Sequence, residues 1–175
     1  MNHGRELDHP MVPTERSECT DAVEVVRSDA LPARKFIVSS TPSDSHTWNL
    51  VFLQLLLEER GSEVINLGSC VPLDHLVEKC LEYRPDVLVL SSVNGHGHME
   101  GAEAIRAIRK LPELDGMHAV IGGKLGVLGP GNARFSDQLI DAGFDAVFHA
   151  DASAMDAFMA YLDGRSTSAL EVSGR

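Results

Sequence analysis

This 175-residue sequence is short of positive charge: 15 Lys and Arg stand against 26 Asp and Glu, a formal net charge of -11 with its eight His neutral. A surface that tracks phosphates draws its affinity from clustered Lys and Arg, so nucleic acid is not expected as a direct partner. Cysteine is scarce too. Cys19, Cys70 and Cys80 are an odd number without a C-x-x-C pair, which signals neither a disulfide framework nor a zinc site. With no neighbouring base or basic cluster to activate them, Cys70 and Cys80 read as ordinary buried thiols. No apolar run approaches the roughly 20 residues of a membrane span, and Met1-Asn2-His3-Gly4-Arg5-Glu6 lacks the basic-then-apolar pattern of a secretory signal. These absences lead to the expectation of a cytoplasmic protein with no membrane partner. What remains is ordinary for one globular domain, 43% hydrophobic and 23% charged, and long enough to bury a core.

Residues 1–33 mix acidic, proline and small polar residues around one apolar cluster, Ala22-Val23-Glu24-Val25-Val26, and read as a flexible N-terminal extension. Residues 164–175, rich in Ser and Thr, read as a disordered tail. Between them, 34–163 forms one domain. Short β-branched runs at 35–39, 63–67, 86–91, 118–121 and 145–148 predict five strands, and amphipathic stretches at 48–60, 73–83, 99–111, 133–142 and 154–162 predict the helices between and after them. Strict alternation of the two means parallel strands with helical crossovers. The run 86–91 is apolar nearly throughout, as a central strand buried on both faces requires. The expected fold is therefore α/β and flavodoxin-like, a doubly wound five-stranded parallel sheet in the order 2-1-3-4-5. Its ligand crevice would lie at the carboxyl ends of the strands, beside the switch point between strands 1 and 3. Arg106, Arg109 and Lys110 read as the solvated side of the third helix.

Three loops open onto that crevice. The first, Thr41-Pro42-Ser43-Asp44-Ser45-His46-Thr47-Trp48-Asn49, is long and polar for a simple turn. A carboxylate two residues from a histidine can accept a hydrogen bond from one ring nitrogen and leave the other free for a metal. The same residues also suit a helix cap by Asp44 or Ser45 with His46 exposed in the first turn, and both readings stand on the sequence. Trp48 is either a core residue or a ligand wall. The second loop, Ser91-Ser92-Val93-Asn94-Gly95-His96-Gly97-His98, has two glycines that permit close approach of a backbone to a ligand. Its His-x-His pair lacks companions at zinc-site spacing. The third, at 121–131, is dense in glycine but matches neither a P-loop nor a dinucleotide fingerprint.

Together the loops resemble the cobalamin-binding fold shared by methionine synthase and the carbon-skeleton mutases, with its signature D-x-H-x-x-G, then S-x-L, then G-G. Here these read Asp44-Ser45-His46-Thr47-Trp48-Asn49, Ser91-Ser92-Val93 and Gly122-Gly123. Within that family, the stand-alone domain and the run Ser91-Ser92-Val93-Asn94-Gly95-His96-Gly97 are similar to the small sigma subunits of glutamate mutases, also called methylaspartate mutases. The resemblance covers about 35–162. Three positions depart from the pattern: Asn49 replaces Gly, Val93 replaces Leu, and Ala150-Asp151-Ala152 replaces a Pro-Gly-Thr segment.

The resemblance implies a cofactor, adenosylcobalamin, held base-off with a histidine on the cobalt. His46 would be that metal ligand and Asp44 its orienting partner. Ser45, Thr47, Trp48 and Asn49, with Ser91, Val93, Asn94, Gly95, Gly97, Gly122 and Gly123, would complete the cofactor-binding set. It further implies a subunit inactive alone, which rearranges L-glutamate to threo-3-methylaspartate only beside a larger TIM-barrel subunit that binds glutamate, in a heterotetramer-like assembly. Two other functions fit the same domain: a cobalamin-binding sensor or carrier acting on another protein, and a corrinoid methyltransferase component.

Overall fold

The structure, a computed structural model, describes residues 1, 34–126 and 133–164. The expected N-terminal extension and C-terminal tail, and the glycines of the third loop at 129 and 131, lie outside the described residues. Five strands alternate with five α-helices: β1 (Lys35–Ser40), α1 (Trp48–Glu59), β2 (Glu63–Gly68), α2 (Leu73–Tyr83), β3 (Val87–Ser92), α3 (Gly97–Ile108), β4 (His118–Gly123), α4 (Ala133–Ala142), β5 (Ala146–His149) and α5 (Ala154–Leu162). The strands are parallel and lie in the order β2-β1-β3-β4-β5, the doubly wound arrangement that the alternation predicts. All six residues of β3 are buried, as its apolar run requires.

α3 ends at Ile108, three residues short of the predicted end, and a 3-10 turn, Pro112–Leu114, follows it. The cause is Pro112. Proline disfavours helical backbone in the residue before it, and Leu111 is extended, with φ -103° and ψ 106°.

Because side chains alternate along a strand, each strand feeds two cores. Ile37, Leu88, Leu90 and Ile121 face α2, α3 and α4, where Leu76, Ile105, Ile108 and Leu139 complete one cluster. Phe36, Val38, Val89 and Val120 face α1 and α5, meeting Leu50, Leu57, Phe158 and Leu162. The same alternation fixes the site. Continuing β3 by two residues from Val89 turns Ser91 toward the α1 and α5 side, and its register partner on β4 is Gly122. Ser92 points the other way, against Gly97, where a Cβ would lie 2.6 Å from the Ser92 Cβ. Gly97 is therefore a packing residue under the second loop.

Two sequence expectations are corrected here. Arg109 is not a solvated residue: its guanidinium donates from Nε to the Gly143 carbonyl at 2.9 Å, from Nη1 to the Met117 carbonyl at 2.7 Å and from Nη2 to Asp145 at 2.7 Å. One helix position thereby ties down the chain before β4 and β5, a role helical periodicity cannot reveal. Cys70 is exposed, not buried. It follows β2 with φ +55°, and its N–H donates to the Asp44 carbonyl and the Ser40 hydroxyl, which turns the side chain outward. Cys80 is fully buried, and burial pushes its thiol up to about 12. Thiolate is the reactive form. A thiol reagent at pH 8 is therefore expected to modify Cys70 in the native protein and Cys80 only on unfolding. Peptide mapping of the labelled protein checks this.

Candidate functional site

At the switch point the loops after β1 and β3 are joined through one side chain. Asp44 has a carboxylate that is 1% exposed. Its Oδ2 accepts the backbone N–H groups of Val93 and Asn94, the latter at 3.1 Å, and its Oδ1 accepts the His46 N–H at 3.1 Å. Oδ1 also meets the His46 ring nitrogen Nδ1 at 2.7 Å. Burial alone would raise the Asp44 pKa, but the N–H of Val93, the imidazole and the N–H groups of His46 and Asn94 outweigh it and hold the carboxyl below the usual range. A second strap joins the same loops, from Asn94 Nδ2 to the Ser43 hydroxyl at 2.9 Å.

This arrangement sets the chemistry of His46. An ionised carboxylate can only accept, so Nδ1 carries the proton and the lone pair of the neutral ring is on Nε2. The side chain is 43% exposed while its carboxylate partner is buried, so the ring is anchored on one edge and open on the other. The helix-cap reading does not hold. α1 starts at Trp48 behind Thr47, no side chain caps it, and Asp44 is committed to His46 and the β3 loop. In the second histidine pair, the His98 ring stacks on Phe135 at 4.0 Å and its Nδ1 meets the Leu125 carbonyl at 2.9 Å. Among the described residues no cluster of three or more His, Cys, Asp or Glu side chains could hold a metal ion.

Two residues after His46, a cavity of about 210 Å³ opens between α1 and α5. Trp48, Phe52 and Leu53 form one wall and Met155 and Phe158 the other, over a floor of Val89, Val120 and Gly122. Phe148, paired with Gly122 across the strands, closes its far side. An apolar cavity of about 150 Å³ takes a benzene, so this one has room for a fused aromatic bicycle. The wall carries two buried polar side chains, Asn49 and Ser91, bonded to one another.

The sequence pattern of the B12 binding domain matches residues 34–159. The chain belongs to the B12-binding domain family. It is 26% identical over 115 residues to the glutamate mutase sigma subunit of Fusobacterium nucleatum, an alignment covering 66% of this chain and 84% of that one. Among solved structures, a cobalamin-binding protein from Desulfitobacterium hafniense DCB-2 superposes with a TM-score of 0.59 at 23% identity, over 75% of this chain and 60% of that one. The chemotaxis response regulator CheY4 of Vibrio cholerae superposes with a TM-score of 0.56 at 15% identity, over 77% of this chain and all of that one, 100%. Signalling and corrinoid proteins thus share this fold, and function has to be read from the site. Here β3 ends in Ser91 and Ser92, with no phosphoacceptor carboxylate there.

The residues of this B12-binding domain fit such a cofactor on two counts: an oriented imidazole with a free nitrogen, which suits cobalt, and an apolar cavity sized for an aromatic base. The expected residues divide into three groups. Asp44, His46, Val93 and Asn94 meet through the Asp44 carboxylate. Trp48, Asn49, Ser91, Gly122 and Gly123 line the cavity. Ser45 and Thr47 are exposed on the loop, while Gly95 and Gly97 are buried beneath the second loop, away from the cavity wall. Gly123 is required by the backbone itself: its φ is +106°, and a Cβ there would collide with the Ser92 carbonyl. Phe52, Leu53, Phe148, Met155 and Phe158 were not legible as site residues. They read as helix and strand core, and only the gap between α1 and α5 gives them a second role.

Proposed function

We propose that this domain carries adenosylcobalamin base-off, with His46 Nε2 on the cobalt and the detached nucleotide tail in the α1/α5 cavity. In this reading it is the small subunit of a glutamate-mutase-like isomerase. The observation that carries it is the His46 ring, fixed through Nδ1 to a buried carboxylate, two residues before Trp48 in the wall of an apolar cavity. When bound, adenosylcobalamin supplies a Co–C bond whose homolysis starts radical rearrangement, and the protein supplies position. Asp44 keeps Nδ1 protonated and the ring oriented, and Trp48, Phe52, Phe148 and Phe158 exclude water from the tail. Ser91, Gly122 and Gly123 let the tail lie against the sheet.

Isomerisation of L-glutamate to threo-3-methylaspartate then falls to a larger glutamate-binding subunit. The surface supports such docking: Trp48, Val51, Phe52 and Leu55 are exposed at helical spacing on α1, and Trp48 and Phe52 also wall the cavity. Likeness to a sigma subunit supports the same assignment.

The test is gel filtration after incubation with hydroxocobalamin and with adenosylcobalamin. The expected result is one corrinoid retained per chain, with a base-off absorption spectrum; protein that emerges colourless sinks the reading. Mixing the loaded domain with a glutamate mutase catalytic subunit and L-glutamate should yield 3-methylaspartate. Retention without product would assign the domain to a carrier or sensor instead.

A further inference from the structure

The cavity wall is aromatic, aliphatic or glycine except at Asn49 and Ser91, which are 8% and 7% exposed. Asn49 stands where the family signature has glycine, so its carboxamide is an addition to that pattern. That carboxamide has two edges. Nδ2 donates to the Ser91 hydroxyl. Oδ1 is buried with no hydrogen-bond partner among the described residues. A buried carbonyl without a partner carries a desolvation penalty that a ligand group can remove.

Strand register indicates what lies beside it. Ser91 pairs with Gly122 in the outer layer of the cavity, and one step further in Val89 pairs with Val120, beneath Leu53 and Phe158. The inner layer is wholly apolar and suits an aromatic base. The outer layer, where Asn49 meets Ser91, is where the sugar joined to that base would pass. A nucleosidic benzimidazole has no N–H to offer, whereas the sugar presents hydroxyls, which both donate and accept. The pairing therefore holds whichever way round the carboxamide stands.

We infer that Asn49 is a specificity-determining residue whose free carboxamide edge hydrogen-bonds a sugar hydroxyl of the corrinoid nucleotide tail. The domain thereby favours complete corrinoids over tail-less ones. This inference rests on the corrinoid reading of the His46 site. The rival account of the same residue is steric, with Asn49 narrowing the entrance that glycine would leave open.

Affinities of wild type, Asn49→Ala, Asn49→Gly and Asn49→Ser for hydroxocobalamin and for diaquocobinamide, which lacks the nucleotide, separate these accounts. Asn49→Ala should weaken hydroxocobalamin binding about tenfold and leave cobinamide within about twofold, since cobinamide reports the intact His46 face. Asn49→Ser, which keeps a small polar group, should recover part of the loss. Unchanged or tighter hydroxocobalamin binding by Asn49→Ala or Asn49→Gly overturns the inference in favour of the steric account. Parallel loss of both corrinoids overturns it in favour of a folding role. If wild type binds neither corrinoid, the corrinoid reading of the site has failed as well, an outcome distinct from the other two.

Discussion

Replacing His46 with Ala is expected to remove the histidine-ligated spectrum of the bound corrinoid and to weaken retention by at least about a hundredfold, because loss of a partner one bond further from a metal already costs 10–100-fold. The fold should survive. The ring is partly exposed, and residue 46 keeps its backbone N–H, so Asp44 Oδ1 still receives that hydrogen bond. A thermal midpoint close to wild type, with the changed spectrum, separates loss of a ligand from loss of structure. Added imidazole should partly restore the spectrum, since the vacated space opens to solvent and a free imidazole carries the missing nitrogen. An unchanged base-off, histidine-ligated spectrum in His46→Ala would remove His46 from the cobalt while leaving the family assignment intact.

Asp44 should give the second-largest effect, on both stability and binding. Asp44→Ala strips the acceptor from the N–H groups of Val93 and Asn94 and from His46, all at or near a buried position. Unmet buried donors of this kind cost about 2–4 kcal/mol together, or roughly 5–15 °C in the thermal midpoint of a domain this size. Asp44→Asn is the more telling variant. The Val93 and Asn94 N–H groups require an oxygen facing them, which turns the new NH₂ toward His46 Nδ1. That nitrogen must then accept, the ring proton moves to Nε2, and the metal-binding lone pair is gone. Asp44→Asn should therefore lose less stability than Asp44→Ala but still lose about 10–100-fold in corrinoid affinity.

The acid limb of stability checks the same hydrogen bonds independently. Asp44 has a folded pKa below its unfolded value. Its contribution is therefore complete above the unfolded pKa of about 3.9 and is lost as pH falls through the depressed folded value. In Asp44→Ala that part of the acid destabilisation should be absent. An equal slope of unfolding free energy against pH below about 4 in both proteins would contradict the network described for Asp44.

The strands and helices were legible because their signals are local. Short β-branched runs mark 35–39 and 118–121, the apolar run at 86–91 marks the central strand, and 3.6-residue patterns mark 73–83 and 133–142. Where a local signal was misread, at the end of α3, the cause was also local: Pro112 extends Leu111. Asp44-Ser45-His46 was visible as a pattern but open between a helix cap and a ligand. Nothing within the loop decides that. The decision comes from β3, whose Val93 and Asn94 N–H groups claim one oxygen of Asp44 and leave the other for the imidazole.

Sequence alone thus determined the element order, the parallel sheet and the family pattern, since each depends on spacing along the chain. Tertiary structure decided the rest. Arg109, read as solvated, clamps the chain around β4 and β5 because its carbonyl partners lie on segments remote from α3. The cavity belongs to no segment at all: it is the space left where α1 packs over β1 and β2 and α5 over β5, and five elements contribute its walls. Asn49 shows the division most plainly. Its identity and its departure from the family glycine are written in the chain, but that one edge of its carboxamide is tied to Ser91 and the other left free follows only from packing α1 against β3.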